Sequence, residues 1–261
     1  MQGPLDHPTG PLPGITIASS PDPAKIYFGS PGIAILPDGS YLASHDWFGP
    51  GTGNNEVSVY RSDDRGLTWR PLARLHGLLW PSLFVHRGAV YLLGNAGLYG
   101  AVVIRRSDDG GCTWTEARDA SSGILRAGRN HGAPVPVVVH GGRIWRGLEA
   151  VTGPDDWPRH FQSMMMSASE DADLLSSGSW RFTPPVAFGR DWISGACPDW
   201  LEGNAVVGPD GSIRNLLRAH RDRVNAKIMQ DPRILAMCGP KHAPFDPQRM
   251  AYGGFRIFVS C

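Results

Sequence analysis

The feature that most constrains this chain is one short motif that occurs twice. Residues 62–69 and 107–114 both fit the pattern Ser-x-Asp-x-Gly-x-Thr-Trp, and the two copies lie 45 residues apart. A fixed period of that length is typical of repeat architectures, in which each repeat is one supersecondary unit. The sequence therefore predicts several similar units in a row.

The motif itself predicts a turn. Its Ser and Asp side chains can accept hydrogen bonds from nearby backbone N–H groups, and its Gly can take the positive φ that a chain reversal needs. Thr and Trp then suit the start of an outgoing strand. We therefore expect Asp64 and Asp109 to stabilise turns and to take no part in catalysis.

A longer unit recurs around this motif. Each copy has a short apolar strand (135–139 in the third unit), a turn that ends in Gly, a second strand, a third strand, the motif or its remnant, and a fourth strand. The third strand of the first unit, 56–60, alternates polar and apolar residues as a strand should. Residues 1–25 are Pro-rich and polar, and are expected to form an irregular lead-in. The predicted units cover approximately 26–75, 76–120, 130–188 and 197–237, with part of a fifth at 245–261.

The repeated motif resembles the Asp-box, or BNR repeat, of the sialidase superfamily. The resemblance implies an all-β fold, namely a sialidase-like β-propeller built of four-stranded antiparallel blades. Four blades are readable in this sequence, with part of a fifth. The resemblance also implies a carbohydrate substrate, and it implies no cofactor.

Composition gives no support for nucleic acid, a membrane surface or a metal ion as a partner. The net charge is +1 and charged residues make up 19% of the chain, so no excess of either sign favours nucleic acid or a membrane surface. The four cysteines have no metal-ligand spacing, so no metal is expected. The start of the chain lacks a signal-peptide pattern, which predicts a cytoplasmic protein, or a secreted one if a leader has been trimmed. The sequence does not determine the oligomeric state.

The turn glycines align the units and point to one candidate site. Seven residues after each glycine, where the second strand ends, stand Asp46, Asn95, Glu149 and Arg218. At the matching starts of the first strands stand Ser30, Trp80, His131 and Glu202. In an antiparallel blade these two positions share one end of the sheet, and the motif turn lies at the other end. We therefore expect a ring of polar side chains around one central depression.

The sialidase resemblance assigns roles to two members of this ring. Glu202 followed by Arg218 matches in order and spacing a Glu and an Arg of that family. By resemblance, Glu202 would polarise a nucleophilic tyrosine and Arg218 would hold a substrate carboxylate. The family's first arginine has no counterpart at 29–32, and no aspartate lies in the loop of residues 47–55, so Asp46 is the nearest substitute for its acid/base aspartate.

Together these residues predict a sialidase-like exo-glycosidase that acts on a terminal, acidic sugar. Glu202, Asp46 and His131 are the candidate catalytic residues. The candidate substrate-binding residues are Arg218, Arg129, Asn95, Glu149, Trp47 and Trp80. Two alternatives remain open: a uronate polysaccharide lyase on the same fold, with His131 as base, and a non-catalytic propeller that binds sugar or protein.

Overall fold

The computed structural model describes residues 14–154, 159–188, 200–219 and 255–260. The regular structure of these residues is nearly all β-strand, arranged in four antiparallel sheets that follow one another along the chain. This confirms the predicted all-β fold. Among these residues, none belongs to a helix with the length and apolar character that a bilayer crossing requires.

The first two sheets have four strands each, and the strands pair in chain order. The strands of the first sheet are β1 (Tyr27–Ile35), β2 (Tyr41–Phe48), β3 (Glu56–Ser62) and β4 (Arg70–His76). Those of the second sheet are β5 (Leu79–His86), β6 (Ala89–Asn95), β7 (Val102–Ser107) and β8 (Ile124–Arg126).

The third sheet has an interrupted first strand. Its strands are β9 (Asn130–His131), β10 (Val138–His140), β11 (Arg143–Val151), β12 (Phe161–Ser169) and β13 (Trp180–Phe182). Both β9 and β10 pair with β11, one at each end of it. The sequence predicts one strand over 135–139. Pro134 and Pro136 lie in the gap, and because proline has no N–H to donate, the hydrogen-bonded ladder breaks there.

The fourth sheet contains β14 (Trp200–Val207), β15 (Ile213–Ala219) and β16 (Phe255–Ser260), in that order. The sequence assigns Phe255–Ser260 to the opening of a fifth unit. In the structure this strand pairs with β15 instead, so it is the third strand of the fourth sheet. The residues between β15 and β16 in the chain lie outside the described residues.

The two repeated motifs both fold as turns, as predicted. In the first, Ser62 Oγ accepts a hydrogen bond from the Gly66 N–H at 2.7 Å, and Asp64 accepts one from the Thr68 N–H at 2.8 Å. The indole of Trp69 donates to the Gly66 carbonyl at 3.0 Å. The second turn repeats these bonds with Ser107, Gly111, Asp109, Thr113 and Trp114. Each aspartate is thus a local acceptor for its own turn.

Consecutive sheets pack face to face, and the run of three methionines on β12 shows how. Met164 and Met166 pack against the second sheet, in contact with a cluster that includes Ile104. Met165, which lies between them, packs with Ala205 of the fourth sheet. Neighbouring side chains of a strand point to opposite faces, so one strand supplies both cores. Full burial of each such side chain contributes about 1.5–3 kcal/mol.

The strand register separates the two ends of each sheet. In the first sheet Tyr41 lies opposite Ser62, so the β1–β2 turn and the motif turn share one end. Trp47 lies opposite Glu56 near the other end, next to Asp46. The predicted candidate site and the motif turns therefore lie at opposite ends of the sheet, as the sequence indicates.

Candidate functional site

The four polar residues predicted at the ends of the second strands occupy one equivalent position. Each lies directly opposite a residue near the start of the first strand of its own sheet. The opposed pairs are Asp46 with Gly29, Asn95 with Leu79, Glu149 with His131, and Arg218 with Leu201. The alignment made from the turn glycines is therefore confirmed at this position.

One residue further along the first strand, the backbone has a positive φ angle in three of the four sheets. Ser30, Trp80 and Glu202 have φ values of 51°, 52° and 59°, and each falls within a register shift of its strand pair. A non-glycine residue held in this region costs about 1–3 kcal/mol and persists only where surrounding contacts hold it. Because His131 itself lies opposite Glu149, the equivalent of these bulge residues in the third sheet is Gly132, one position later than the sequence alignment has it.

The bulges surround a single pocket at the end of the molecule predicted to carry the site. Its volume is about 530 Å³, within the range of roughly 300–1,000 Å³ usual for ligand pockets. All four sheets contribute to its wall, which consists of Ser30, Pro31, Trp80, Gly132, Ala133, Pro134, Val135, His131, Glu202 and Arg218. The structure thus brings together the predicted residues Trp80, His131, Glu202 and Arg218.

His131 is held by a buried carboxylate. Its Nδ1 lies 2.7 Å from Glu149 Oε2, and Glu149 is completely buried. A carboxylate accepts, so Nδ1 carries the hydrogen, and Nε2 is the nitrogen that can exchange a proton with a ligand. None of the described residues hydrogen-bonds Nε2. The rings of Trp80 and Phe161 pack edge-on against the imidazole, with centroids 4.8 and 5.1 Å away.

Glu202 and Arg218 form an ion pair on the pocket wall. Arg218 Nη1 donates to Glu202 Oε1 at 2.7 Å, and both side chains are partly exposed. Glu202 is therefore available as a base or as a stabiliser of positive charge.

The other predicted carboxylates are buried between sheets and do not line the pocket. Asp46 Oδ2 accepts the Trp80 N–H of the next sheet at 3.0 Å, and burial raises the pKa of the Asp46 carboxyl. Glu149 Oε1 accepts the Gly203 N–H of the next sheet at 2.8 Å. Asp46 thus serves as a link to the second sheet, which differs from the acid/base role expected for it.

Asn95 completes this series of links. Its side-chain amide donates to the Asn130 carbonyl at 3.0 Å, and only 1% of the residue is exposed. The three second-strand residues therefore each reach the start of the following sheet. These hydrogen bonds hold the first-strand segments that form the pocket wall.

Two further predicted residues lie elsewhere. The Trp47 indole donates to Ser58 Oγ at 2.8 Å and packs under Arg74, whose guanidinium carbon is 4.3 Å from the ring centroid. Arg129 is exposed, with its guanidinium 5.7 Å from the Tyr99 ring. Neither residue lines the pocket.

Arg146 supports the pocket wall, although it is not among the predicted site residues. It is completely buried behind the pocket, where it donates to Ser82 Oγ at 3.1 Å and to the Ala133 carbonyl at 2.9 Å. Burial lowers the pKa of Arg146 to about 10, against the opposing attraction of Glu149, so it stays charged at neutral pH. Its position on the strand face shared with Leu148 was the available signal, since a lone cation among alternating apolar residues must find buried acceptors.

Within the described part of the chain, no group of three or more His, Cys, Asp or Glu side chains is placed to hold a metal ion.

No protein-family model matches the chain, and a search of curated proteins finds no match. Solved structures do match it. An α-L-arabinofuranosidase from Fusarium graminearum, in complex with an iminosugar inhibitor, is 13% identical with a TM-score of 0.53, covering 79% of this chain and 60% of its own. A GH43 β-1,3-galactosidase is 14% identical with a TM-score of 0.53, covering 90% of this chain and 43% of its own.

A sialidase from Trypanosoma rangeli also matches, at 12% identity and a TM-score of 0.51, covering 72% of this chain and 28% of its own. This chain therefore spans three fifths or less of the length of these three proteins. At such identities the likeness shows the fold alone, which is that of a β-propeller.

Proposed function

We propose that this protein is a glycan-active hydrolase that cleaves a terminal sugar bound in the pocket between the four sheets. The observation that carries the proposal is the presence of His131, Glu202 and Arg218 on one pocket wall, with Trp80 beside them. Proton donors and acceptors of this kind, gathered in a concave site, are what glycoside hydrolysis requires.

The shape of the site supports action on a chain end. Residues from all four sheets line the pocket at one end of those sheets, a concave position that can receive one end of a glycan. Trp80 offers an aromatic ring of the kind on which the apolar face of a sugar can stack. Ser30 adds a hydroxyl that can bond to sugar hydroxyls.

The two ionisable groups can divide the chemistry. In its protonated form, with Nδ1–H held by Glu149, His131 donates a proton from Nε2 to the glycosidic oxygen as the bond from that oxygen to the anomeric carbon breaks. Glu202, paired with Arg218, accepts a proton from the water whose oxygen bonds to the anomeric carbon. The proton given by His131 leaves with the released alcohol; Glu202 then releases its proton to solvent and His131 takes one up, so both groups return to their starting states.

Arg218 supports an acidic substrate. Its guanidinium reaches the pocket wall, and a guanidinium binds a carboxylate through paired N–H donors. A substrate carboxylate would share this cation with Glu202. The similar proteins of known structure include enzymes described as a sialidase, an arabinofuranosidase and a galactosidase, which supports glycoside hydrolysis in general and leaves the choice of sugar to experiment.

The proposal is tested by incubating the purified protein with a panel of aryl glycosides that includes sialosides, uronides and neutral arabinosides. We expect release of the aryl alcohol from an acidic glycoside. In the variant Arg218→Met we expect that release to fall much further for acidic glycosides than for neutral ones, because neutral substrates lose only the support that Arg218 gives to Glu202. Equal effects of this variant on acidic and neutral glycosides would contradict the carboxylate-binding role. Binding of a glycan without turnover of any substrate would contradict the hydrolase proposal as a whole.

A uronate lyase is the second candidate, and one observation favours it. Among the described residues that line the pocket, Glu202 is the single carboxylate, and it is already paired with Arg218. In a lyase, neutral His131 would remove the proton beside a uronate carboxylate that Arg218 neutralises, with departure of the glycosidic oxygen and formation of a carbon–carbon double bond. A rise in ultraviolet absorbance on uronate polymers, without hydrolysis of aryl glycosides, would select this candidate.

A further inference from the structure

The buried side chain of Glu149 contacts both His131 and the segment that carries Glu202. Glu149 Oε2 accepts the hydrogen of His131 Nδ1 at 2.7 Å, and Glu149 Oε1 accepts the N–H of Gly203 at 2.8 Å. Gly203 directly follows Glu202, the bulge residue with a φ of 59°. The carboxyl group of Glu149 therefore joins His131 of the third sheet to the strained segment that carries Glu202 in the fourth.

The contacts of Glu149 occupy both of its oxygens. Each accepts an N–H donor, one from the His131 side chain and one from the Gly203 backbone. Arg146, buried on the same strand, stays charged at neutral pH. A buried carboxyl group whose two oxygens both accept hydrogen bonds is held in one orientation.

From this geometry we propose that Glu149 is a positioning residue for the reaction: it fixes the Nδ1–H tautomer of His131, and it holds the bulge that presents Glu202. This inference rests on the proposed function for its effect on rate. Its structural part, the tautomer and the bulge, can be measured without any substrate.

The chain supplies a matched control. Asp46 occupies the equivalent position in the first sheet, is equally buried, and accepts the N–H of the bulge residue Trp80. Asp46 therefore supports a bulge in the same way, but among the described residues no histidine hydrogen-bonds its other carboxyl oxygen. Asp46→Asn should disturb a link between sheets without changing the state of His131.

The experiment is nitrogen-15 NMR of the histidine side chains, with His131 assigned by its absence in His131→Gln. Other charged or titratable groups around His131 are Glu149 and Arg146 on β11, Glu202 and Arg218 on β14 and β15, and Tyr99 with Arg129 beyond it. Spectra are therefore compared at one pH. In the unmodified protein we expect neutral His131 to carry its hydrogen on Nδ1.

Glu149→Gln should switch the tautomer. The amide oxygen can still accept one N–H, but the amide NH₂ must donate, and the best arrangement keeps Gly203 on the oxygen and turns Nδ1 into an acceptor. The hydrogen of His131 then moves to Nε2. We expect kcat to fall by about 10²–10⁴-fold, the usual contribution of a positioned acid or base, with KM changed far less. Asp46→Asn should retain the Nδ1–H signal.

The outcomes separate the two proposals. An Nε2–H tautomer in the unmodified protein, or an unchanged tautomer in folded Glu149→Gln, overturns the positioning role whatever the substrate proves to be. A tautomer switch in Glu149→Gln but not in Asp46→Asn supports it. If the switch occurs while no glycan is turned over by the unmodified protein, the proposed function fails and the assignment of Glu149 as the residue that positions His131 stands. Because the first measurement uses the unmodified protein, the inference can be refuted even if Glu149→Gln does not fold.

Discussion

Arg146→Met tests how much the buried guanidinium behind the pocket contributes to stability, and whether Arg146 and Glu149 stabilise each other. Methionine keeps much of the length of the arginine stem but removes the guanidinium. The change strips the donors from Ser82 Oγ and the Ala133 carbonyl, and it leaves the buried Glu149 carboxylate without its nearby cation. Each hydrogen bond made by a charged group contributes about 1.5–3 kcal/mol, and single substitutions rarely cost more than about 5 kcal/mol, so we expect a loss of about 3–5 kcal/mol.

For a domain of this size that loss corresponds to a fall in Tm of roughly 6–20 °C, since each kcal/mol shifts Tm by about 2–4 °C. Differential scanning calorimetry and urea unfolding at neutral pH measure it. Arg143→Met is the matched control on the same strand, because Arg143 is only partly buried and, within the described part of the chain, its side chain hydrogen-bonds only to Ser167. We expect that control to lose on the order of 1 kcal/mol.

A double variant completes the test. If Arg146 chiefly offsets the charge of Glu149, then Arg146→Met combined with Glu149→Gln should lose less stability than the two single losses added together, by about 0.5–3 kcal/mol. Strict additivity, or an Arg146→Met loss no larger than that of Arg143→Met, would refute the reasoning that these two buried groups depend on each other.

Two further predictions concern the pocket and the turns. Glu202→Gln should abolish turnover while Tm stays nearly constant, because its partly exposed ion pair with Arg218 contributes only about 0–1 kcal/mol; an active variant would remove Glu202 from the mechanism. Asp64→Ala should lower Tm and leave kcat unchanged, since Asp64 lies in the motif turn at the far end of the sheet. Hydrogen bonds from Thr68 and Ser62 hold the pKa of Asp64 at about 2, below its unfolded value, so its stabilising effect is present above about pH 4 and lost as pH falls towards 2. The gap in Tm between the original protein and Asp64→Ala should therefore narrow at about pH 2, and a gap that is constant with pH would contradict this account.

Much of the architecture could be predicted from local pattern. The repeated turn motif, the turn glycines and the alternation of apolar residues are short-range properties, and each depends on hydrogen bonds or side-chain directions within a few residues. They were sufficient to place Asp46, Asn95, Glu149 and Arg218 at one register position of four sheets. The turn sets the register of an antiparallel pair, so the residue seven positions after each turn glycine lies at the same register position in its sheet.

The sequence by itself therefore determined the repeated sheets, their register and the end of the molecule where polar residues gather. Only the tertiary structure decided which of those residues face the pocket. Trp80 and Glu202 have positive φ angles at bulges in their first strands, and both line the pocket wall. The packing of one sheet on the next buries Asp46 and Glu149 behind that wall. Both outcomes depend on contacts between residues that are more than thirty positions apart, such as Asp46 with Trp80. A periodic pattern specifies the faces of a strand, and it is the neighbouring sheet that makes one of those faces an interior and leaves the other open to a ligand.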